Sequence, residues 1–217
     1  MAIRVVSFCF YFAARHVPWR QQDWDTYKFV QALKGNELSG YGHVPVDGVL
    51  RRLSNQNLDS AIQWYAMFAA RALTKKKIGP PFFVVPVPNS GCTVRSGTRP
   101  KTLRLAKAVC EQVGGETKVV DCLRWKKDLG SASKEGGPRD PETLYKNLAP
   151  IEGLPRGSRV VLVDDVMTSG GHLRACAAKL RQAGATVVIA LCGGRTTYSQ
   201  DQEAFATSEE NLEEYEP

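Results

Sequence analysis

Residues 160–172 read Val-Val-Leu-Val-Asp-Asp-Val-Met-Thr-Ser-Gly-Gly-His, and no other stretch of the chain limits its fold so sharply. Four apolar, mostly β-branched residues make a short buried strand, too short for a helix. Two adjacent carboxylates, Asp164 and Asp165, stand where that strand ends. A loop of small and hydroxyl-bearing residues follows, and 173–183 then carries apolar residues at helical spacing. Strand, loop and helix N-terminus form the arrangement that holds a phosphate with backbone N–H groups and the positive end of the helix dipole. Gly170 and Gly171 let the backbone approach an anion closely, and Thr168 and Ser169 add hydroxyl donors. The stretch lacks the GK[ST] triplet of a Walker A loop and the G-x-G-x-x-G of a dinucleotide fold.

Carboxylates repel phosphate, so two of them beside a phosphate loop imply a ligand with a second, different face. The hydroxyl pair of a sugar suits them, as does a Mg²⁺ ion shared with a polyphosphate. A phosphorylated ribose offers both. In this the stretch resembles the phosphoribosyl-pyrophosphate (PRPP) signature of the type I phosphoribosyltransferases: an apolar strand, two acids, two apolar residues and a Thr/Ser/Gly loop. The resemblance implies an α/β fold, with a Rossmann-like parallel sheet flanked by helices and an N-terminal hood. It implies that Asp164 and Asp165 are catalytic, face the ribose hydroxyls and hold Mg²⁺, directly or through water. Thr168, Ser169, Gly170, Gly171 and His172 would wrap the 5′-phosphate. Family members usually have Thr or Ser where this chain has His172, whose imidazole can also donate to phosphate.

Two further loops fit the same reading. Phe82–Pro88 is an apolar strand whose closing prolines stop ladder pairing, and Asn89-Ser90-Gly91 leads toward an expected helix at 101–113. Arg95, Arg99 and Lys101 line that approach, which makes a second anion site plausible. By resemblance, Pro88, Asn89, Ser90 and Gly91 with the three cations would take pyrophosphate. After an expected strand at 117–123, residues 124–141 run long and polar, with Lys126, Lys127 and Lys134 among glycines. A loop of that length in a compact domain suits a lid that closes on phosphates, and the family carries a flexible catalytic loop there, so Lys126 and Lys127 are its catalytic candidates. Beyond a strand at 186–192, Arg195 and Tyr198 are candidates for acceptor recognition. Strands alternating with helices from 82 to 195 predict a parallel sheet whose ligand loops converge at the strand carboxyl ends.

The rest of the chain falls either side of this core, expected at 81–198. Residues 1–80 hold a strand at 2–11, helices at 21–33 and 57–73 and a loop-like stretch at 34–48, and are read as a hood or cap. From Asp201 onward there are seven acids and no base; with a net charge of +7 overall, the first 200 residues hold +14. The acidic end, 199–217, is expected to be solvated and flexible, and the basic body suits PRPP or nucleic acid. The six cysteines are scattered and the three histidines do not cluster, so no structural zinc site is expected and reduced thiols point to the cytoplasm. No apolar run is long enough for a membrane span, and the apolar start of the chain reads as a strand, not a signal peptide. Residues 82–195 are most similar to the ComF-like branch, without the N-terminal zinc cluster usual there.

The resemblance implies transfer of phosphoribosyl from PRPP to a nitrogen base or amine, with Mg²⁺ as cofactor, pyrophosphate as product and an unidentified small molecule as acceptor. The alternative is a regulator that senses PRPP or a nucleotide, or binds nucleic acid, and keeps the site without transfer. A homodimer through the aromatic hood is a further expectation.

Overall fold

The computed structural model describes residues 2–14, 16–130 and 137–217. Eight strands and five helices matter for the site: β1 (Ala2–Ser7), β2 (Phe10–Phe12), α1 (Gln21–Leu33), β3 (Gly42–Val46), β4 (Val49–Leu53), α2 (Asp59–Lys75), β5 (Phe82–Pro86), α3 (Leu103–Val113), β6 (Thr117–Val119), α4 (Pro141–Asn147), β7 (Arg159–Met167), α5 (Gly171–Gln182) and β8 (Thr186–Thr197), joined by a last strand, β9 (Ser208–Glu213). The main sheet runs β6-β5-β7-β8-β1-β9, with β2 also on β8. All its pairs are parallel except β1 with β9. This is the α/β sheet flanked by helices that the alternating pattern predicts.

The central strand β7 shows why the order is stable. Val160 to Val163 are fully buried, so this strand is apolar on both faces, as a parallel strand between helix layers must be. The pleat sends Val161 and Val163 into one cluster, with residues of α1, α2 and α3. Val160 and Leu162 point the other way, against Leu173, Cys176 and Leu180 of α5 and Leu144 of α4. A helix layer therefore covers each face. Asp140 caps α4 by accepting the Thr143 N–H at 2.8 Å, as its place before Pro141 predicts.

Several expectations need correction. The strand expected at 2–11 is two pieces in one register against β8, Ser7 opposite Cys192 and Phe10 opposite Arg195. Residues 1–80 are thus not wholly a cap, because β1 and β2 belong to the main sheet while α1, α2 and the β3–β4 hairpin pack on its face. The hairpin occupies much of the stretch expected as loop, where Gly and Pro mask a β ladder turning at Asp47-Gly48. The strand at 117–123 ends at Val119, and that at 186–192 continues to Thr197 because β2 pairs with its extension. Acidic residues 208–213 are not a solvated tail but β9, which covers the open edge of β1. No helix among the described residues is long and apolar enough to cross a membrane.

Candidate active site

The carboxyl ends of β5 and β7 open into a cavity of about 500 Å³. Its floor is Asp164 and Asp165, still within β7, which continues to Met167 instead of stopping at the acids. Strand alternation places Asp165 on the face of α1 and α3, and Asp164 on the face of α5. Asp164 Oδ1 accepts the N–H of Asp165 at 2.8 Å. Neither acid has a salt bridge within 4.0 Å among the described residues. Burial holds the Asp164 carboxyl well above its ordinary range, and the neighbouring Asp165 charge adds to that. Asp165 is also raised by burial, with Lys34 and Lys101 pulling against the rise.

One wall is the turn from β7 into α5. Thr168, Ser169, Gly170, Gly171 and His172 all line the cavity, with the N-terminus of the twelve-residue α5 behind them. Gly170 is left-handed, φ 76°, which suits glycine. A Cβ on Gly171 would lie 1.9 Å from the Arg139 carbonyl oxygen, so only glycine fits that crossing. Thr168 Oγ1 lies 3.0 Å from Thr196 Oγ1 of β8. The His172 ring meets Trp125 edge to face, centroids 5.7 Å apart, and burial lowers its pKa and keeps it neutral.

The opposite wall is the turn after β5. Pro88, Asn89, Ser90 and Lys101 line the cavity. Asn89 ties this turn together: its Oδ1 accepts the Lys101 N–H at 3.1 Å, and its carbonyl accepts Trp125 Nε1 at 3.1 Å. Thr102 Oγ1 donates to the Val87 carbonyl at 2.6 Å and fixes the start of α3 against the strand end. Buried Trp125 therefore braces both loops, touching His172 on one and Asn89 on the other.

Other candidates stand elsewhere. Gly91, Arg95 and Arg99 do not line the cavity, and both arginines are exposed on the segment leading to α3. Lys126 and Lys127 lie outside it as well: Lys126 Nζ donates to the Lys146 carbonyl at 2.7 Å, and the Lys127 N–H to Asn147 Oδ1. They are drawn toward α4 by backbone pairing that composition cannot show. Lys134 falls outside the described residues. Arg195 is turned toward the loop, donating to the Thr168 carbonyl and pairing with Glu210 of β9. Tyr198 is 64% exposed and does not line the cavity.

On the side of β2 and α1, the lining residues Tyr11, Gln31, Lys34 and Asn36 escaped the sequence reading. They come from β2 and from the end of α1 and its exit turn. The only sequence trace was polar residues interrupting the C-terminal turn of an aromatic helix, which is ordinary for a solvated helix end. Gly193 is what brings them close, since a Cβ there would overlap Leu33 of α1 at 2.2 Å.

The acid pair fits a divalent cation. Mg²⁺ is held by one or two carboxylates, its own waters and a polyphosphate, not by an all-protein cage, and among the described residues no three His, Cys, Asp or Glu side chains form such a cage. Two half-buried carboxylates without a salt-bridge partner among the described residues are the donor set expected for that ion, and a cation beside them would offset the penalty of their desolvation.

Residues 101–208 match the family model described as the phosphoribosyl transferase domain. Adenine phosphoribosyltransferase of Xanthomonas axonopodis pv. citri is 41% identical over 63 residues, covering 26% of this chain and 34% of that protein. Orotate phosphoribosyltransferase of Phenylobacterium zucineum is 40% identical over 47 residues, covering 19% and 24%. The chain thus spans about a third or less of the length of these curated relatives. Adenine phosphoribosyltransferase of Saccharomyces cerevisiae, solved with adenine and an imino-altritol bisphosphate, aligns over 80% of this chain and 99% of its own, with 16% identity and a TM-score of 0.42.

Proposed function

We propose that this chain, with a phosphoribosyl transferase domain over residues 101–208, is a phosphoribosyltransferase that moves 5-phosphoribosyl from PRPP to a nitrogen nucleophile. One observation carries the proposal: the acid pair, the turn 168–172 and the turn 88–90 all line one cavity. A phosphate-binding helix N-terminus, a hydroxyl-binding acid pair and a second anion turn are the three contacts that PRPP requires.

In this reading the backbone and hydroxyls of Thr168 and Ser169 hold the 5′-phosphate, with Gly171 allowing the approach. His172, neutral and set by Trp125, donates rather than adding charge. Asp164 and Asp165 accept from the ribose hydroxyls and orient the ring. Pro88, Asn89 and Ser90 present the pyrophosphate with Lys101 beside it. The acceptor nitrogen forms a bond to C1 as the bond from C1 to the pyrophosphate oxygen breaks; the electron pair leaves with pyrophosphate, and the nitrogen loses its proton. Positive charge grows on the ribose during this exchange, and two fixed carboxylates beneath it favour that transition state over the ground state. Bound Mg²⁺ supplies neutralisation of the pyrophosphate charge, with Asp164 and Asp165 as its protein ligands, directly or through water.

Tyr11, Gln31 and Asn36, which line the same cavity from β2, the end of α1 and its exit turn, replace Arg195 and Tyr198 as candidates for holding the acceptor. The test is pyrophosphate release from Mg²⁺ and PRPP across a panel of purine, pyrimidine and pyridine bases and amines. Release that depends on one acceptor, and falls about 10²–10³-fold in Asp165→Asn as for loss of one transition-state contact, supports the assignment. PRPP binding without release for any acceptor counts against transfer.

A further inference from the structure

Beyond Lys101 the cavity is continued by a second cleft of about 400 Å³ that the reaction as drawn does not use. Lys34, Lys101, Arg104 and Lys107 line it, and no acidic side chain does. Lys34 and Lys101 line both spaces, so the two are contiguous. The cleft lies between the end of α1 and the first turns of α3, whose N-terminus adds the positive end of an eleven-residue helix dipole.

This cleft is built, not a chance cluster of surface lysines. Arg104 donates to the Ala32 carbonyl at 2.8 Å and the Leu33 carbonyl at 2.7 Å, so the last turn of α1 fixes its guanidinium. Gly35, at φ 77°, has no Cβ, and one would sit 2.7 Å from Arg104 Nη2. A glycine is therefore required both by the backbone and by the arginine packed on it. Four cations around one small space repel each other, and partial burial lowers the Arg104 pKa despite Asp59 and Asp165 nearby.

PRPP, as placed above, engages only Lys101 of these four cations. Its 5′-phosphate belongs at the far wall with residues 168–172, and its pyrophosphate at 88–90 with Lys101. What remains on the side of α1 is the space for the acceptor. Resting on the transferase reading above, we infer that the acceptor carries an anionic group, a phosphate or a carboxylate, and that Lys34, Arg104 and Lys107 receive it in this cleft. Arg104, its Nη2 held by the two α1 carbonyls, supplies a fixed positive charge, and the two lysines supply mobile ammonium donors.

Calorimetric titration tests this on the full-length chain saturated with Mg²⁺ and PRPP. Inorganic phosphate is added in one arm and benzoate in the other, to distinguish a phosphate group from a carboxylate. One equivalent of at least one anion should bind beside PRPP. Its affinity should fall about tenfold or more in Lys107→Glu, whose side chain is exposed and whose replacement leaves the α1 cap intact. Lys118→Glu, an equal charge change on the exposed edge strand β6, should not alter it. PRPP binding with no further anion, or equal losses in both variants, would overturn the cleft assignment and leave the transferase reading standing. Failure of PRPP itself to bind would remove that reading, and this inference with it.

Discussion

Asp164 and Asp165 are the residues at which stability and chemistry pull apart. Each is half-buried and has its proton affinity raised by desolvation. The sign of the consequence follows from linkage. The folded form holds these protons more tightly than the unfolded chain, so their contribution favours folding at low pH. It is lost as pH rises from the ordinary carboxylate range through the raised native values, so ionisation of the pair opposes folding. Asp164→Asn should therefore raise the melting temperature at pH 7 while lowering transfer by orders of magnitude, and the gain should shrink toward pH 4. Melting curves across pH, with and without Mg²⁺ and PRPP, read this directly. A variant less stable than the parent at pH 7 would show that the carboxylates are structural. That contrast was half legible in the sequence. Adjacent acids at the end of an apolar strand were readable as a ligand-facing pair, but their desolvation and lack of salt bridges depended on where Lys34 and Lys101 stand in space.

Among the elements, β9 has the widest reach. It pairs with β1, and through the Arg195–Glu210 pair it also holds the carbonyl of Thr168 in the turn from β7 into α5. Its Leu212 side chain lies over Gly170, where a Cβ would come within 2.5 Å. The last strand of the chain thus buttresses a loop some forty residues earlier. Glu210→Ala should weaken PRPP binding roughly three- to tenfold, in keeping with loss of a charge-assisted contact, while Glu210→Gln loses less. Because the pair is partly exposed, the change in melting temperature should be small. Unchanged PRPP affinity in Glu210→Ala would show that β9 only covers the sheet edge. Nothing in composition announced this element: seven acids without a base read as a solvated tail, because pairing on an open edge depends on the partner strand. By contrast β5, β7, α3 and α5 were legible, since their apolar periods are set by burial within the same few residues. The β3–β4 hairpin was hidden for the opposite reason, its Gly and Pro suggesting loop where cross-strand pairing decides.

Across the whole molecule, one sheet draws its strands from both ends of the chain and gathers the charges that the sequence keeps apart. Acids near the C-terminus meet the basic body at specific points, Glu209 with Lys76, Glu210 with Arg195 and Glu214 with Arg181. The excess of +14 over the first 200 residues is therefore partly answered within the fold, and the cations left on the side of α1 border the cavity. The phosphate turn and the acid pair were readable because they are local, thirteen residues in a row. The hood side of the cavity was not, because Tyr11, Gln31 and Asn36 become neighbours only when α1 settles on Gly193.

The central claim is that one cavity recognises a phosphoribosyl group through the acid pair and the glycine turn together. Calorimetric titration of the full-length chain with PRPP and Mg²⁺, beside an Asp164→Asn/Asp165→Asn double variant and Gly171→Ala, tests it most directly. The account predicts one PRPP per chain, affinity enhanced by Mg²⁺ in the parent and not in the double variant, and loss of binding in Gly171→Ala. A folded parent that binds no PRPP, or a double variant that binds it as tightly and with the same dependence on Mg²⁺, would contradict the account.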